Sequence, residues 1–451
     1  MKDLDYLIVG AGISGLTAAL TILSYKPGST VVLVDSGTEP GGLLRSETFA
    51  GQQFDLGTHI PEMTSDEDLN KLLFPQQICR SWHQLTALKV GNYFNGMLNE
   101  RSQFPDISSQ GEIAKTVLAE LLQTSDRTSV AGDLKHYAEH CYGSTISNQV
   151  LAPLMAKFCN KALAELSPQA LKYYGLSRLI CGDRQQSINL KKINHLDAVL
   201  AYSDDREKPR DSRWYYPDQQ QGIGQWIKLL QQQITQQGGQ CLFSSRIQKV
   251  ERQQSMHQVS FHDGKVLQAR QVIWTVPVYL GLQGVQQQRP ESRAISIFHF
   301  HSTETPLAKC HYLYCYEPAL QSYRITLYNN LQGSEATASN RCSVEVIHDV
   351  GAQPAADCIA KELKAMGVFA DRATMHHLGT SEIKAGFPIP LAGSEEQRLQ
   401  LFEGVKTANP SIEFIGRAKP ALFFMTDVLM DAYQAAKQLV TKGVADEKNE
   451  H

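Results

Sequence analysis

An apolar strand runs directly into a glycine-rich turn and then into an alanine-rich helix. From position 5 the chain reads DYLIVGAGISGL, with Gly10, Gly12 and Gly15 in a GxGxxG spacing and with Ile13 and Ser14 between them. In such a turn the first glycine permits a tight bend and the second lets the backbone approach a pyrophosphate. The third lets the helix pack on the strand, and the helix N-terminus faces the phosphate charge. The pattern predicts a dinucleotide-binding turn.

A second apolar strand supports this prediction. The run TVVLV at positions 30 to 34 ends in Asp35, twenty residues past Gly15. An acidic side chain at this place accepts hydrogen bonds from ribose hydroxyls. A secretory signal or membrane anchor is the alternative for the apolar N-terminus. Three glycines interrupt that segment, and a single lysine beside two acidic residues precedes it, so the order of strand, turn, helix, strand and acid favours the dinucleotide.

Two blocks after the acidic residue narrow the cofactor to FAD. They read EPGGLLRS at positions 39 to 46 and FDLGTH at positions 54 to 59. Together with the turn they resemble flavoproteins of the glutathione-reductase-2 type, the superfamily of amine oxidases, protoporphyrinogen oxidase, carotenoid desaturases and UDP-galactopyranose mutase. The resemblance implies glycines that permit close approach to the pyrophosphate and an arginine that donates to an oxyanion. The FAD-contacting residues that it implies here are Asp35, Ser36, Gly41, Gly42, Leu43, Leu44, Arg45, Gly57, Thr58 and His59.

Blocks in the middle of the chain extend the resemblance. The runs YGSTI at 142–146 and VLAPLM at 150–155, with LSP at 166–168, resemble the helical segment over the substrate cavity of protoporphyrinogen-oxidase-like proteins. YYP at 215–217 and GIG at 222–224 resemble the loop that re-enters the FAD domain. Trp226, Leu230 and Ile234 then follow at one face of a helical period. RIQKV at 246–250 matches the family strand whose backbone cradles adenine, which implies Ile247 as a cofactor residue.

The last block contains FIGR at 414–417 and, after nine further residues, Asp427 and an amphipathic stretch. In the family the closing helix points its N-terminus at the flavin N1 and C2 carbonyl. Free N–H groups and the positive end of the helix dipole stabilise the negative charge of reduced flavin there. This implies Gly416, Arg417, Thr426, Asp427 and Val428 as cofactor residues. An N-cap is the alternative role for Asp427, because aspartate is favoured at that position.

The fold class predicted from these blocks is α/β. A Rossmann-like FAD-binding domain with a parallel sheet would interleave with a substrate domain made of a mixed or antiparallel sheet and a helical subdomain. We expect the FAD-binding domain in residues 1–75, 210–285 and 405–442, a helical cap in 76–209, the substrate sheet in 286–404 and a frayed tail in 443–451. The charged stretch 203–213 is expected to cross between the domains.

The resemblance implies a reaction in which flavin N5 accepts a hydride from a C–H next to nitrogen, oxygen or an unsaturated carbon. The polar candidates are His59, Glu62, Arg178, Arg324, Glu345 and Arg417. Of these, His59, Arg324 and Arg417 are the predicted catalytic residues. The two arginines suit an anionic substrate because their guanidinium groups bind carboxylate or diphosphate with two donors. A core histidine for His59, a solvated Arg324 and an arginine partner for Glu345 are the alternatives.

A non-redox sugar-nucleotide mutase is the alternative function, because the run FPIP at 387–390 and the spacing from FIGR to Asp427 resemble UDP-galactopyranose mutase. There reduced flavin attacks an anomeric carbon. This chain has Glu62 where the mutase has a second histidine, and Phe423 where it has a tyrosine. The GGLLRS block is more similar to oxidases and desaturases, so we expect an FAD-dependent oxidoreductase. An FAD-binding module without catalysis is a third interpretation.

Composition narrows the partners. The chain has 451 residues and a net charge of −3, with scattered basic residues and no nucleic-acid footprint. Nine cysteines without a CxxC pair favour reduced thiols in a cytoplasmic protein over disulfides or a metal site. We expect a small-molecule substrate and no integral membrane segment. A homo-oligomer, peripheral membrane association and the identity of the electron acceptor stay open.

Overall fold

The computed structural model describes residues 3–124, 132–202, 213–218, 221–278, 282, 289–332 and 340–449. Its strands are β1 (Leu4–Val9), β2 (Val31–Val34), β3 (Ser46–Phe49), β4 (Gln52–Asp55), β5 (His83–Leu85), β6 (Val90–Phe94), β7 (Met97–Asn99), β8 (Trp214–Tyr216), β9 (Gln240–Leu242), β10 (Ile247–Gln253), β11 (Met256–Phe261), β12 (Val266–Trp274), β13 (Ser292–Ser302), β14 (Tyr312–Cys315), β15 (Ser322–Leu327), β16 (Arg341–His348), β17 (Met375–Pro388) and β18 (Ile412–Phe414).

Helices connect and cover these strands. A π-helical turn (Ser147–Leu151) joins the sixth and seventh helices. The helices are α1 (Ile13–Tyr25), α2 (Glu67–Leu73), α3 (Gln76–Ser81), α4 (Glu112–Gln123), α5 (Leu134–Tyr142), α6 (Ser144–Ile146), α7 (Ala152–Cys159), α8 (Gln169–Tyr173), α9 (Arg184–Leu190), α10 (Asn194–Val199), α11 (Gly224–Gln236), α12 (Tyr328–Leu331), α13 (Ala356–Ala365), α14 (Ser394–Ala408) and α15 (Met425–Asn449). Within the described residues, no helix is both long and apolar enough to span a membrane.

The first sheet contains the glycine-rich turn. Its order is β10-β11-β12-β1-β2-β9, and β18 pairs with the C-terminal half of β12. The strands β18, β12, β1, β2 and β9 are parallel to one another, whereas β11 pairs antiparallel with β12 and β10 antiparallel with β11. The predicted α/β class with a parallel sheet is therefore confirmed. Because the turn follows the central strand β1, it lies at the carboxyl edge, where open α/β sheets bind ligands.

Helices cover both faces of this sheet, which explains its continuous apolar strands. On one face α1, α11 and α15 pack with fully buried side chains such as Ile8, Ile273 and Leu429. The expected face of α11 is also buried, with Trp226 and Ile234 fully covered. Residues from three separated parts of the chain thus build one sheet, as the interleaved arrangement requires. The individual domain boundaries stay a prediction.

The second sheet has the order β17-β13-β16-β15-β14-β6-β7. All neighbours are antiparallel except β14 and β6, so the sheet is mixed, as predicted. One face packs against α13 in a cluster of buried apolar side chains. The other face carries Tyr323 and Ile347 and packs against the helical segments between residues 107 and 200. The substrate-side candidates lie on this second face.

Two segments differ in secondary structure from what was expected, while the domain boundaries stay a prediction. Residues 76–209 are not all helical, because β6 and β7 join the second sheet through a turn in which Asn95 and Gly96 have φ values of 51° and 73°. Asn-Gly at such positions is a strong hairpin signal. The last helix continues to Asn449, so residues 443–449 of the expected tail are helical. The expected crossing at 203–213 lies outside the described residues, except for Arg213.

Candidate cofactor and substrate site

The three glycines of the turn occupy different surroundings. Gly10 has a φ of +103°, and a Cβ there would lie 2.5 Å from Thr275 Oγ1. At Gly15 a Cβ would lie 1.9 Å from the carbonyl oxygen of Gly10, which leaves no room between helix and strand. At Gly12, in contrast, a Cβ would meet no atom within 4 Å. The turn therefore needs the outer glycines for its own packing, whereas Gly12 faces open space, as a pyrophosphate-facing residue must.

A second glycine pair lies beside the turn. Gly41 N–H donates to the carbonyl oxygen of Ala11 at 2.8 Å, and Gly41 forms a parallel bridge with Gly12. An added Cβ at Gly42 would lie 3.8 Å from Gly12 Cα. The two segments therefore meet without side chains at Gly12 and at the pair Gly41–Gly42, which leaves room for the close approach of an extended dinucleotide. Arg45 Nε donates to the carbonyl oxygen of Gly42 at 2.8 Å, so its guanidinium folds back over this segment.

The carboxylate of Asp35 is fixed by backbone donors. Its Oδ2 accepts from Ala11 N–H and its Oδ1 from Gly37 N–H, both at 2.7 Å. An ionised carboxylate accepts about four hydrogen bonds, so capacity for ribose hydroxyls is left. Ser245 N–H donates to the carbonyl oxygen of Asp35 at 2.8 Å, which brings the start of β10 and Ile247 to this end of the site.

The closing loop packs on the dinucleotide turn. Gly416 has a φ of +60°, and a Cβ there would lie 2.2 Å from Ser14 Oγ. Its N–H donates to Asp431 Oδ2 at 2.7 Å, so α15 holds the loop through a side chain of its second turn. Asp427 is exposed and is the third residue of α15. The N-cap interpretation of Asp427 is therefore wrong, because the helix begins two residues earlier and first-turn acids act through the dipole.

Arg417 lies in this loop and is exposed. Its Nη1 donates to the carbonyl oxygen of Phe423 at 3.0 Å, and its guanidinium carbon lies 5.2 Å from the Phe423 ring centre. Phe423 stacks on Tyr173 of α8 with ring centres 4.3 Å apart and an interplanar angle of 21°. The loop therefore contacts the helical segment through Phe423 and Tyr173, and Arg417 lies against Phe423.

Arg324 and Glu345 form a bidentate ion pair across β15 and β16. Arg324 Nε lies 2.7 Å from Glu345 Oε1, and Nη2 lies 2.8 Å from Oε2. The Glu345 side chain is 3% exposed and that of Arg324 18%. Thr58 N–H also donates to Glu345 Oε1 at 3.1 Å. The arginine partner suggested for Glu345 is therefore present, and two donors of Arg324 are engaged by a carboxylate of opposite charge.

His59 lies beside this pair. Its Nε2 is 3.2 Å from the carbonyl oxygen of Leu56, and because a carbonyl only accepts, the proton is assigned to Nε2. Burial, reinforced by the nearby charge of Arg324, lowers the pKa of His59 to about 4. An added Cβ at Gly57 would lie 3.5 Å from His59 Nε2 and 3.6 Å from Glu345 Oε1. The ring is thus a neutral imidazole with Nδ1 as its acceptor.

Tyrosines continue this surface along β14 and β15. Tyr312 and Tyr314 alternate along one strand, so they share a face, and both are partly exposed. The Arg324 guanidinium carbon lies 6.0 Å from the Tyr314 ring centre and 5.8 Å from that of Tyr323. Tyr314 stacks on buried Tyr316 with ring centres 5.5 Å apart. Burial raises the pKa of Tyr312, so its phenol stays a neutral hydrogen-bond donor.

Two candidates lie in other surroundings. Arg178 Nη1 donates to the carbonyl oxygens of Asp197 and Leu200, so it fixes the end of α10. Glu62 forms a backbone bridge with Trp214 at the start of β8. These contacts of Arg178 and Glu62 are with residues outside the cluster of His59, Arg324 and Glu345.

Asp55 was missed, although it lies inside the recognised FDLGTH block. Its side chain is 1% exposed and accepts from Ser46, Tyr216 and Ile223. These partners are far apart in the chain, so no local pattern marks them. The remaining signal was an acidic residue between Phe54 and Leu56, since a charge buried among apolar side chains requires partners.

The fold and the open glycine face define a class: a Rossmann-like dinucleotide-binding domain combined with a second, sheet-and-helix domain. Residues 8–73 match the NAD(P)-binding Rossmann-like domain. Among solved structures, reduced UDP-galactopyranose mutase has a TM-score of 0.73 at 17% identity, with 97% of this chain and 96% of that chain covered. The expected resemblance is therefore confirmed for the fold.

Two further structures share this fold. A putative protoporphyrinogen oxidase from Exiguobacterium sp. has a TM-score of 0.65 at 15% identity, covering 98% of this chain and 99% of that chain. A putrescine oxidase has a TM-score of 0.61 at 12% identity, covering 98% and 100%.

Sequence similarity to curated proteins is confined to short stretches. A coproporphyrinogen III oxidase of Mycobacterium leprae (strain TN) is 43% identical over 58 residues, 13% of this chain and 13% of that protein. An uncharacterized protein in the nifH2 3' region of Methanothermococcus thermolithotrophicus is 39% identical over 67 residues, 15% of this chain and 63% of that protein. The chain thus matches less than two thirds of the length of either relative.

Proposed function

We propose that this protein is an FAD-dependent oxidoreductase, an oxidase or dehydrogenase, that removes a hydride from a small organic substrate. The observation that carries the proposal is the open backbone at Gly12, beside the second glycine pair and at the carboxyl edge of the parallel sheet. The donor and acceptor set fits FAD, since Asp35 suits the ribose and the start of α15 suits an electron-rich flavin ring. When bound, FAD supplies the hydride acceptor at N5.

The chain's own residues would position the substrate. The polar cluster of His59, Arg324 and Glu345 sums to zero charge at neutral pH, because the imidazole is neutral and the other two side chains pair. Tyr312 and Tyr314 add partly exposed rings and phenol donors beside it. Such a surface favours a neutral reacting group, held by stacking and by hydrogen bonds to Nδ1 and the phenols.

A flavin-dependent sugar-nucleotide mutase is the second candidate. The similarity over nearly the whole length to UDP-galactopyranose mutase favours it. The charges on the substrate side favour the oxidoreductase instead: Arg324, the arginine expected to bind an anion, shares its Nε and Nη2 donors with Glu345. Phe423 offers no hydroxyl and is stacked on Tyr173. A diphosphate would have to compete with a buried carboxylate for Arg324.

Anaerobic reduction separates the candidates. The protein is reconstituted with FAD and mixed with a panel of amines, alcohols and partly unsaturated compounds, and the flavin absorption near 450 nm is followed. Substrate-dependent bleaching supports the oxidoreductase. Interconversion of UDP-galactopyranose by the dithionite-reduced protein, without net bleaching or reoxidation, supports the mutase. FAD retention with neither activity over the whole panel supports a non-catalytic FAD-binding module.

A further inference from the structure

Three backbone segments that would face the cofactor converge on the Asp55 carboxylate. Its Oδ1 accepts from Ser46 Oγ at 2.7 Å and from Ile223 N–H at 2.8 Å, and its Oδ2 accepts from Tyr216 OH at 2.5 Å. Ser46 ends the GGLLRS block, and Asp55 itself begins the DLGTH segment. Ile223 directly precedes α11, whose first residue, Gly224, donates its N–H to Ser46 Oγ at 2.8 Å. One side chain thus joins all three segments.

The space around this carboxylate is filled. A Cβ at Gly222 would lie 2.3 Å from both Asp55 Oδ1 and Ser46 Oγ, so the loop before α11 closes directly over the pair. Helix α11 in turn packs on the second glycine pair, since a Cβ at Gly41 would lie 3.1 Å from Ile227 Cγ2. A shift of α11 is therefore transmitted to the backbone that lies beside Gly12.

The charged and titratable groups that face Asp55 are few. Tyr216 and Tyr328 contact it through their hydroxyls, Tyr328 as acceptor from the Asp55 N–H at 2.9 Å. Arg341, fully buried, attracts the carboxylate and donates Nη2 to Gln332 Oε1 at 2.9 Å. Burial raises the pKa of Asp55 to about 6, although the hydrogen bonds from Tyr216, Ser46 and Ile223 and the charge of Arg341 lower it. The charge of the carboxyl group therefore changes as the pH falls through this value.

We propose that Asp55 is a positioning residue of the cofactor site. In its ionised form it accepts three hydrogen bonds that hold the GGLLRS block, the DLGTH segment and the start of α11 in the arrangement that binds FAD. This inference rests on the proposed function. A protonated carboxyl no longer accepts as a charged group from all three donors: its proton has to point at one of them, so the bond with Tyr216 reverses or breaks and the remaining bonds weaken. Acidification therefore weakens FAD binding, whereas the adenosine end, held by Asp35, is unaffected.

The test is a titration of the full-length apo-protein with FAD between pH 5 and 8, with adenosine as a second probe, because adenosine lacks the pyrophosphate that would lie beside Gly12 and the second glycine pair. Wild type is expected to lose about tenfold in FAD affinity on acidification, the effect of losing one hydrogen bond to a charged group. Adenosine affinity stays constant. Asp55→Asn keeps the shape but not the charge, so it binds FAD at the weaker level at every pH. The exposed turn residue Asp263, changed to Asn, is the matched control.

The variant Tyr216→Phe tests the role of Asp55 independently. It removes a hydrogen bond that lowers the pKa of Asp55, so the loss of FAD affinity is expected to begin at higher pH than in wild type. A wild-type FAD affinity independent of pH, or an unchanged pH profile in Asp55→Asn or Tyr216→Phe, overturns the inference. Parallel losses of adenosine and FAD affinity also overturn it, because they indicate a general loss of folding. Failure of wild type to bind FAD at any pH contradicts the proposed function itself.

Discussion

The dinucleotide turn and the substrate-side cluster are built in opposite ways. The turn is local, because Gly10, Gly12 and Gly15 lie within six residues. A Cβ at Gly10 or Gly15 would clash, whereas the backbone at Gly12 is open. The cluster is assembled from β15, β16 and the DLGTH segment, so that Arg324 and Glu345 meet across 21 residues and Thr58 reaches Glu345 across 287.

The two regions also differ in where their charged groups find partners of opposite charge. Around the turn, backbone donors hold Asp35 and the backbone at Gly12 stays open, so an anion that binds there would come from outside the protein. In the cluster, Arg324 finds its anion inside the protein. We therefore expect changes at the turn to act on cofactor affinity and changes in the cluster to act on stability and turnover.

The largest effect is expected for Gly12→Val. The valine side chain would occupy the open space that a pyrophosphate needs, so FAD affinity should fall about 1,000-fold while the fold is retained. Gly404→Val is the matched control, because a Cβ there also meets no atom within 4 Å. Fluorescence titration with FAD measures the effect. Equal affinities of the two variants would contradict the assignment of the turn.

Glu345→Ala tests the internal pairing of the cluster. The variant leaves the Arg324 guanidinium and the Thr58 N–H without their carboxylate, so the free energy of unfolding should fall by about 3 kcal/mol. Urea denaturation measures it. Asp68→Ala, which breaks the exposed pair with Lys71, should change nothing measurable. A loss at Glu345 no greater than in this control would show that the pair is not a stabilising element.

The lowered pKa of His59 can be tested through the pH dependence of the free energy of unfolding. Its pKa in the folded protein is about 4, below the ordinary 6.5, so its contribution to stability is present above pH 6.5 and is lost as the pH falls towards 4. The loss should reach about 2 kcal/mol, given the partial exposure of the ring. His59→Gln should remove this component from the pH profile of unfolding, whereas His262→Gln in an exposed turn should retain it. Identical profiles of wild type and His59→Gln would refute the assignment of a neutral imidazole with a lowered pKa.

The smallest effect is expected for Arg417→Ala. The side chain supports the loop that stacks on Tyr173 and is itself exposed, so its loss should lower turnover about fivefold and leave FAD affinity nearly unchanged, in line with one weak contact. Steady-state kinetics beside FAD titration separates the two effects. A variant that loses FAD but keeps its activity per bound FAD would place Arg417 at the cofactor instead.

The glycine turn and the contacts between distant segments also differ in how well they could be predicted from the sequence. The order of strand, glycine turn, helix and acid was readable because hydrogen bonding and sterics are local there. The hairpin of β6 and β7 was missed although Asn95-Gly96 announces it, since the resemblance suggested a helical region instead. The three partners of Asp55 could not be predicted, because they meet only after the β3–β4 hairpin, β8 and the start of α11 have packed together.

The central claim, that the open backbone at Gly12 holds FAD, is tested most directly by the visible absorption spectrum of the purified protein. It is recorded anaerobically after incubation with FAD and removal of the excess, before and after dithionite. The account predicts flavin bands that stay with the protein and bleach on reduction. A protein that remains colourless after this treatment would contradict the account.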